Sequence, residues 1–411
     1  MNTTNTDKSL PRGSGWLFGL LLTTFVIGTD DFIIAGILPA ISVDLDVSEA
    51  AAGQLVTVFS ITYAVAAPIM AMLMARVPSK TLIVGGLAVF AAINFITSFA
   101  SNYPLLMALR VLAALVAAAV SPAAFAVAGR LAAPERVGRA IGTVAAGLTV
   151  SLVVGVPFGS WVASVFDWRA TFVSVGIFTA LAVVITAITL PRVPEMPAVS
   201  VRDRLLLLRR PVVLLGVVGT VLGACAGLMT YTYIAPITHD LTGTGAAHVP
   251  LFILIMGVSG ALGTFVGGRL TDRWGVDRTL MATFGGVLVA TLGLALVGQF
   301  TGGDAPIWLV GVFLVIWGVS AWGNNPPMTS RAIQKAGAAG TEAIALNTSG
   351  LYLGVALAGA IGGGALSSNA GTGVLVAGSV IGLITILVMA LAVRKYPIGR
   401  AEVSEPAPAA S

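Results

Sequence analysis

Residues 25–39 read FVIGTDDFIIAGILP, with Asp30 and Asp31 side by side inside an apolar run that extends from Gly15 to Ile41. A run of this length can cross the ~30 Å hydrocarbon core of a bilayer, which takes about 20 apolar residues. The rest of the chain has the same character. Of its 411 residues, 57% are hydrophobic and only 9% are charged, with a mean hydropathy of +0.98. A soluble domain carries roughly a quarter charged residues. So few charges cannot cover a water-facing surface, so most of the chain must face lipid.

Working outward from the first run, we find twelve of them, bounded by Pro, Gly or charge. They fall near 15–41, 52–76, 81–100, 104–131, 139–164, 169–190, 211–236, 249–271, 277–299, 305–332, 340–366 and 372–394. We number them spans 1 to 12. The expectation is an all-α integral membrane protein with twelve transmembrane helices. Fourteen mostly polar residues with Lys8 and Arg12 precede span 1, which is far longer than the apolar region of a signal peptide and is read as retained.

The charges orient these spans. Lys8, Arg12, Arg76, Lys80, Arg130, Arg136, Arg139, Arg192, Arg202, Arg204, Arg209, Arg210, Arg269, Arg273, Arg278, Arg331, Lys335, Arg394, Lys395 and Arg400 all fall in tails, span ends or connections on one side. The connections on the other side carry Asp44, Asp46, Glu49, Asp167, Asp240 and Asp304, with Arg169 the single base. Basic connections stay cytoplasmic, so both termini are expected inside. The net charge of +5 is therefore a matter of topology and implies no nucleic-acid partner. The lone cysteine, Cys225, excludes an internal disulfide framework.

Residues 191–210, PRVPEMPAVSVRDRLLLLRR, form the longest inside connection. We expect them to link a six-helix bundle at 15–190 to a second at 211–395, with cytoplasmic tails at 1–14 and 396–411. LMARVPSKTL at 73–82 resembles LTDRWGVDRTL at 270–280, with Leu73/Arg76 and Leu270/Arg273 at one constant offset and an extra residue following in the second. Internal repeats of this kind build many secondary transporters.

Several motifs resemble those of one family. GTDDF…GILP in span 1 resembles the GTxEF…GLLP signature of bacterial efflux proteins, with the family's acid at Asp31 and Asp30 additional. GGRLTDRWGVDR (267–278) resembles the loop motif GxLaDRxGrk, while its first-half counterpart AMLMARVPSK (71–80) has Ala75 for the acid and Pro78 for the glycine. LMALRVLAALVAAA in span 4 resembles the RxxqG motif, Arg110 supplying the arginine and Ala113 and Ala114 replacing the rest. GLTVSLVVGVPFGS (147–160) is similar to the antiporter motif of span 5, and FDWRATF (166–172) to the start of span 6. Together they resemble the drug:proton antiporter branch of the major facilitator superfamily. That resemblance implies two pseudo-symmetric six-helix bundles in a bacterial inner membrane, functional as a monomer, with spans 1, 4, 7 and 10 lining a central cavity.

Two acids near a bilayer midplane each cost about 2.5–3.5 kcal/mol on insertion scales, and intramembrane acids by default mark function. Burial and a like neighbour both disfavour the ionised form of a carboxyl group, which suits a proton site. Adjacent helical residues point about 100° apart, so one acid is expected to face the cavity and the other a neighbouring helix. We read Asp31 as the proton-coupling residue, with Asp30 tuning it or meeting a cationic substrate; a permanently hydrogen-bonded bracing acid is the alternative. Arg110 lies roughly 10 Å from the outer end of span 4 and Asp31 roughly 15 Å from the same side. Arg110 can then pair with a carboxylate of span 1 or reach for the outer interface.

Gly147, Gly155, Pro157 and Gly159 of span 5 allow close backbone approach, either as a dry contact between halves or as ordinary small-residue packing. Asp272, Arg273 and Arg278 suit an inside gate of charge pairs, or topogenic charge alone. Candidate substrate contacts on or beside the cavity spans are Phe32, Ser121, Phe125, Met229, Tyr231, Tyr233, Trp317, Trp322, Asn324 and Asn325. Tyr63 of span 2 and Asn347 of span 11 join them. Aromatic and Met side chains suit flat lipophilic molecules and cations; the alternative for each is a lipid-facing or interfacial place.

Glu342 at the start of span 11 complements the helix dipole. His239 and His248, without nearby cysteines, make a poor metal site. No G-x-x-x-x-G-K-[ST] loop is present for ATP, no other cofactor is implied, and no connection is long enough to hold a soluble active site. The expected function is proton-coupled efflux of small amphipathic compounds such as drugs or antibiotics. Alternatives are export of one metabolite class (sugar, nucleoside or amino-acid derivative), or a non-transporting sensor or membrane-embedded enzyme.

Overall fold

The computed structural model describes residues 15–133, 136–191 and 206–398. Residues 1–14, 134–135, 192–205 and 399–411, with Lys8, Arg12, Arg192, Arg202, Arg204 and Arg400, lie outside the described residues. Within them the chain is almost wholly helical: α1 (Gly15–Phe32), α2 (Ile34–Asp44), α3 (Glu49–Leu73), α4 (Ser79–Thr97), α5 (Tyr103–Leu131), α6 (Val137–Val150), α7 (Val156–Val165) and α8 (Trp168–Thr189). Then come α9 (Pro211–Thr232), α10 (Ile234–Thr242), α11 (Val249–Trp274), α12 (Val276–Thr301), α13 (Ile307–Gly323), α14 (Asn325–Ala336) and α15 (Gly340–Lys395). Among the described residues ten helices are long and apolar enough to cross a membrane, or eleven when the bent pair α1 and α2 counts as one span.

Three of the breaks sit just ahead of prolines, which remove a backbone donor and whose rings crowd the preceding turn. α1 and α2 meet at 43°, directly after the two aspartates, with Pro39 inside α2. α9 gives way to α10 at Tyr233, ahead of Pro236. α13 gives way to α14 at Asn324, ahead of Pro326 and Pro327. Between α6 and α7, residues Ser151–Gly155 form a π-turn, with Pro157 at the start of α7. Expected spans 11 and 12 run together as α15, whose backbone leaves the helical region only at Asn369 and Ala370.

The two halves of the chain pack by the same scheme. In the first, α1 lies on α6, α3 on α5, and α4 on α8. In the second, α9 lies on α15 and α11 on α13, and α12 meets the late part of α15 through Thr291 and Ser379. We call the end with the Asp44 and Asp240 turns the acid end, and the end with Arg76 and Lys335 the basic end.

Asp44 accepts hydrogen bonds from Arg169 Nη1 at 2.7 Å and Trp168 Nε1 at 3.1 Å, while Arg169 Nη2 caps the Ala100 carbonyl at 2.9 Å. The single base of the acid end is thus matched to an acid, and Asp167 caps α8 through the Ala170 amide. At the basic end, Arg331 of α14 pairs with Asp277 of α12 and donates to the Ala392 and Tyr396 carbonyls, both at 2.9 Å.

Candidate intramembrane carboxylate site

Asp30 and Asp31 occupy the last turn of α1, just before the bend, and both are buried. They face opposite parts of the molecule. Arg110 Nη1, from α5, donates to Asp30 Oδ2 at 2.7 Å and to the Asp30 carbonyl at 3.2 Å, and each side chain is 1% exposed. Asn94 of α4 lies beside the same carboxylate, its amide donating to the Phe90 carbonyl at 3.0 Å, and the Arg110 Cζ stands 4.3 Å over the Phe59 ring. Arg110 Nε and Nη2 and Asn94 Oδ1 have no hydrogen-bond partner among the described residues.

Asp31 turns toward the second half. Its Oδ2 accepts from the Tyr352 hydroxyl of α15 at 3.1 Å. The Tyr352 ring is stacked on Tyr63 of α3, centroids 3.8 Å apart, and Ser121 lies beside Tyr63. Asp31 also lines a narrow pocket with Phe32, Ala35, Val56, Leu228, Tyr231, Thr232 and Val355. Beside it Phe32 meets Tyr231 edge-on at 5.6 Å and Trp322 at 5.8 Å, and Tyr231 stacks on Trp317 at 6.2 Å. Phe32, Tyr63, Ser121, Tyr231, Trp317 and Trp322 are therefore brought together.

The other expected contacts lie elsewhere. Tyr233 is a buried pin, its hydroxyl donating to the Gly359 carbonyl at 2.6 Å and its ring lying on Gly53. Met229 packs against Gly362 of α15, and Phe125 is half-buried against the main core. Asn324 accepts from Thr283 at 3.1 Å, Asn325 is exposed, and Asn347 bonds Thr220 beside a basic-end pocket with Arg331 and Lys335.

The span 5 glycines do not face the other half. Gly147 packs on Thr24 and the Leu21 carbonyl, Gly155 on Thr29, and Gly159 on Ile33, all of span 1 in the same half. The π-turn puts these small residues toward α1. The close contact of span 5 with the second half is made instead by Gly257 of α11, which lies on the Leu152 carbonyl. Asp272, Arg273 and Arg278 are exposed and have no ion pair among the described residues. The ion pair of that region is Asp277–Arg331, because Asp277 in the first turn of α12 faces α14 whereas Asp272 ends α11 on the surface.

Tyr352, Phe59 and Asn94 escaped the sequence reading. Each is one polar or aromatic residue on a long apolar span, and only the packing of α3, α4 and α15 about α1 selects it. Tyr352 carried the one available signal, a hydroxyl deep within span 11.

Hydrogen bonds and ring contacts joining the two halves cluster at the middle and the acid end. Besides those at Asp31 and Phe32, Gln54 Nε2 donates to the Gly359 carbonyl at 3.2 Å. This geometry can hold one carboxylate permanently in an ion pair and place the other where two halves and a cavity meet.

Residues 20–358 match the sequence model described as Major Facilitator Superfamily. The chain is 29% identical over 382 residues to the inner membrane transport protein YdhP of Escherichia coli (strain K12), covering 93% of this chain and 96% of that protein. It is 30% identical over 345 residues to a chloramphenicol resistance protein of Streptomyces lividans, covering 83% of this chain and 86% of that protein. Among solved structures, a bacterial homologue of the human lysosomal transporter Spinster, inward-facing and unoccupied, superposes with a TM-score of 0.71 at 18% identity, over 93% of this chain and 97% of that one. That likeness bears on the fold alone.

Proposed function

This chain belongs to the major facilitator superfamily, and on that premise we propose that it exports small amphipathic compounds in exchange for protons. Counting the broken helix α15 as two spans and α1 with α2 as one gives twelve, arranged as bundles at 15–190 and 211–395 joined by 191–210. The basic end faces the cytoplasm with both termini, in the inner membrane of a bacterium. The halves, joined at the middle and the acid end, then form a state closed to the outside, and rocking them opens the other side to the same central site.

The observation that carries the reading is the division of labour between the two acids. Asp30 has a buried cation of its own, so its charge is matched inside one half. Asp31 has none, lines the cavity, and touches the opposite half. A carboxyl group so placed can take a proton or a substrate at the point where reorientation is decided. The aromatic wall of Phe32, Tyr231, Trp317 and Trp322 suits flat lipophilic substrates, and a relative that confers chloramphenicol resistance supports a drug or antibiotic over a bulk nutrient.

The test uses proteoliposomes loaded with a pH dye and challenged with lipophilic cations, neutral antibiotics, sugars and nucleosides. Substrate-evoked proton flux, normalised to folded protein, is expected for wild type and Asp30→Asn and absent for Asp31→Asn. Substrate transport without proton movement, or flux indifferent to Asp31, would reject proton antiport through this residue.

A further inference from the structure

We propose that Tyr352 is a latch that senses the charge on Asp31 and keeps the unloaded carrier from reorienting, an inference that rests on the antiport reading above. Tyr352 belongs to the second half, yet both of its recorded partners belong to the first. Its hydroxyl donates to Asp31 Oδ2 at 3.1 Å, and its ring lies on Tyr63 with 22° between planes. One side chain thus ties α15 to α1 and α3 in the middle of the membrane.

The charged and titratable groups around Asp31 are Asp30 on its own helix, Arg110 from α5, Tyr63 from α3, Tyr231 from α9 and Tyr352 from α15. Arg110 is bound to Asp30, and the Tyr231 hydroxyl has no partner among the described residues. Tyr352 is therefore the group whose bond follows the state of Asp31. A hydrogen bond to an ionised acceptor is roughly twice as strong as one to a neutral acceptor. The tie between halves is firm while Asp31 is ionised and slack once it is protonated.

This is the dependence that strict exchange requires. A carrier that crosses empty, picks up a proton outside and returns would let protons in without exporting anything. With Asp31 ionised and the cavity free, the Tyr352 bond holds the acid end shut. Substrate entering beside Asp31, Phe32 and Tyr231 competes with Tyr352 for the carboxylate, and a proton on Asp31 weakens the bond directly. Either load frees the halves, and the unloaded carrier stays locked.

Tyr352→Phe removes the hydroxyl and keeps the stacked ring. In proteoliposomes holding a pH gradient without substrate, this variant is expected to leak protons several-fold faster than wild type, both rates normalised to folded protein. The leak should vanish in Asp31→Asn/Tyr352→Phe, because it runs through Asp31. A tight Tyr352→Phe, or a leak that persists in the double variant, would overturn the latch. A second measurement does not depend on changing Tyr352. Gln54→Cys in a Cys225→Ser background should be labelled by an impermeant thiol reagent from the acid side several-fold faster when Asp31→Asn is added. Unchanged labelling would also sink the idea. Absence of any substrate-evoked proton flux in wild type is a different result, and rejects the antiport reading itself.

Discussion

Asp30 and Asp31 differ by one position and by nearly all of their surroundings. The ~100° between successive helical side chains sends Asp30 into the first half, onto Arg110 and Asn94, and Asp31 out to Tyr352 and the cavity. Removing one member of a buried ion pair leaves the other charge uncompensated and costs about 3–5 kcal/mol. Arg110→Ala is accordingly expected to lower the thermal unfolding midpoint of the purified protein sharply. Arg110→Ala/Asp30→Asn should recover part of the loss, since the orphaned carboxylate is gone. Equal midpoints for wild type and Arg110→Ala would mean that Asp30 is already neutral in the folded protein. The acids, and an arginine about one helical turn from them in depth, were legible in the sequence. Phe59 and Asn94, which lie against that arginine and acid, were not, because nothing in an apolar helix marks which of its faces meets α1.

At the scale of elements, each glycine is decided by what stands opposite it. Gly142 and Gly147 lie on one helix, α6. A Cβ at Gly142 meets nothing within 4 Å, whereas at Gly147 it meets Thr24 Oγ1 and the Leu21 carbonyl. Gly142→Ala should stabilise by about 0.5–1 kcal/mol through the lower entropy of the unfolded chain. Gly147→Ala should force α1 and α6 apart and lower the yield of folded protein, which size-exclusion profiles and thermal melts in detergent would register. Similar behaviour of the two variants would mean that α1 and α6 are not in close contact. Pro236, Pro326 and Pro327 stand at breaks that the sequence reading ran straight through as spans 7 and 10, while Pro68 and Pro122 sit inside unbroken α3 and α5. The direction of each bend was not legible, since it depends on the helix that receives the freed backbone groups.

On the scale of the whole molecule, the halves meet at the middle and the acid end through Gln54, Thr57, Gly359, Tyr63, Tyr352 and Phe32. A Cβ at Gly359 would touch Thr57 Oγ1, so Thr57→Cys/Gly359→Cys, in a Cys225→Ser background, is placed to form a disulfide across the halves. Oxidation is expected to abolish transport and a reductant to restore it, while substrate binding from the basic side persists in both conditions. Full transport by the oxidised, cross-linked protein would show that these helices do not separate during the cycle. The Asp277–Arg331 pair stays within one half and binds the end of α15. Asp277→Asn should therefore affect folding more than coupling, seen as a lower melting midpoint with an unchanged ratio of protons to substrate.

Hydropathy and charge alone determined that this chain crosses a membrane many times, because 9% charged residues cannot solvate a surface and basic connections stay on one side of a bilayer. The span 1 motif likewise placed a carboxylate pair inside the membrane, since their cost there has to be balanced by function or by a partner. Which acid has the partner was decided only in three dimensions. Lipid-facing helices carry no strict polar and apolar faces, so periodicity cannot say which side of α1 meets α5 and which meets α15. The same holds for span 5, whose glycines were read as able to join the halves yet pack within one, while Gly257 of α11 makes the crossing contact. Small residues permit close approach in any direction. The helix that arrives opposite them is chosen by the packing of the whole bundle.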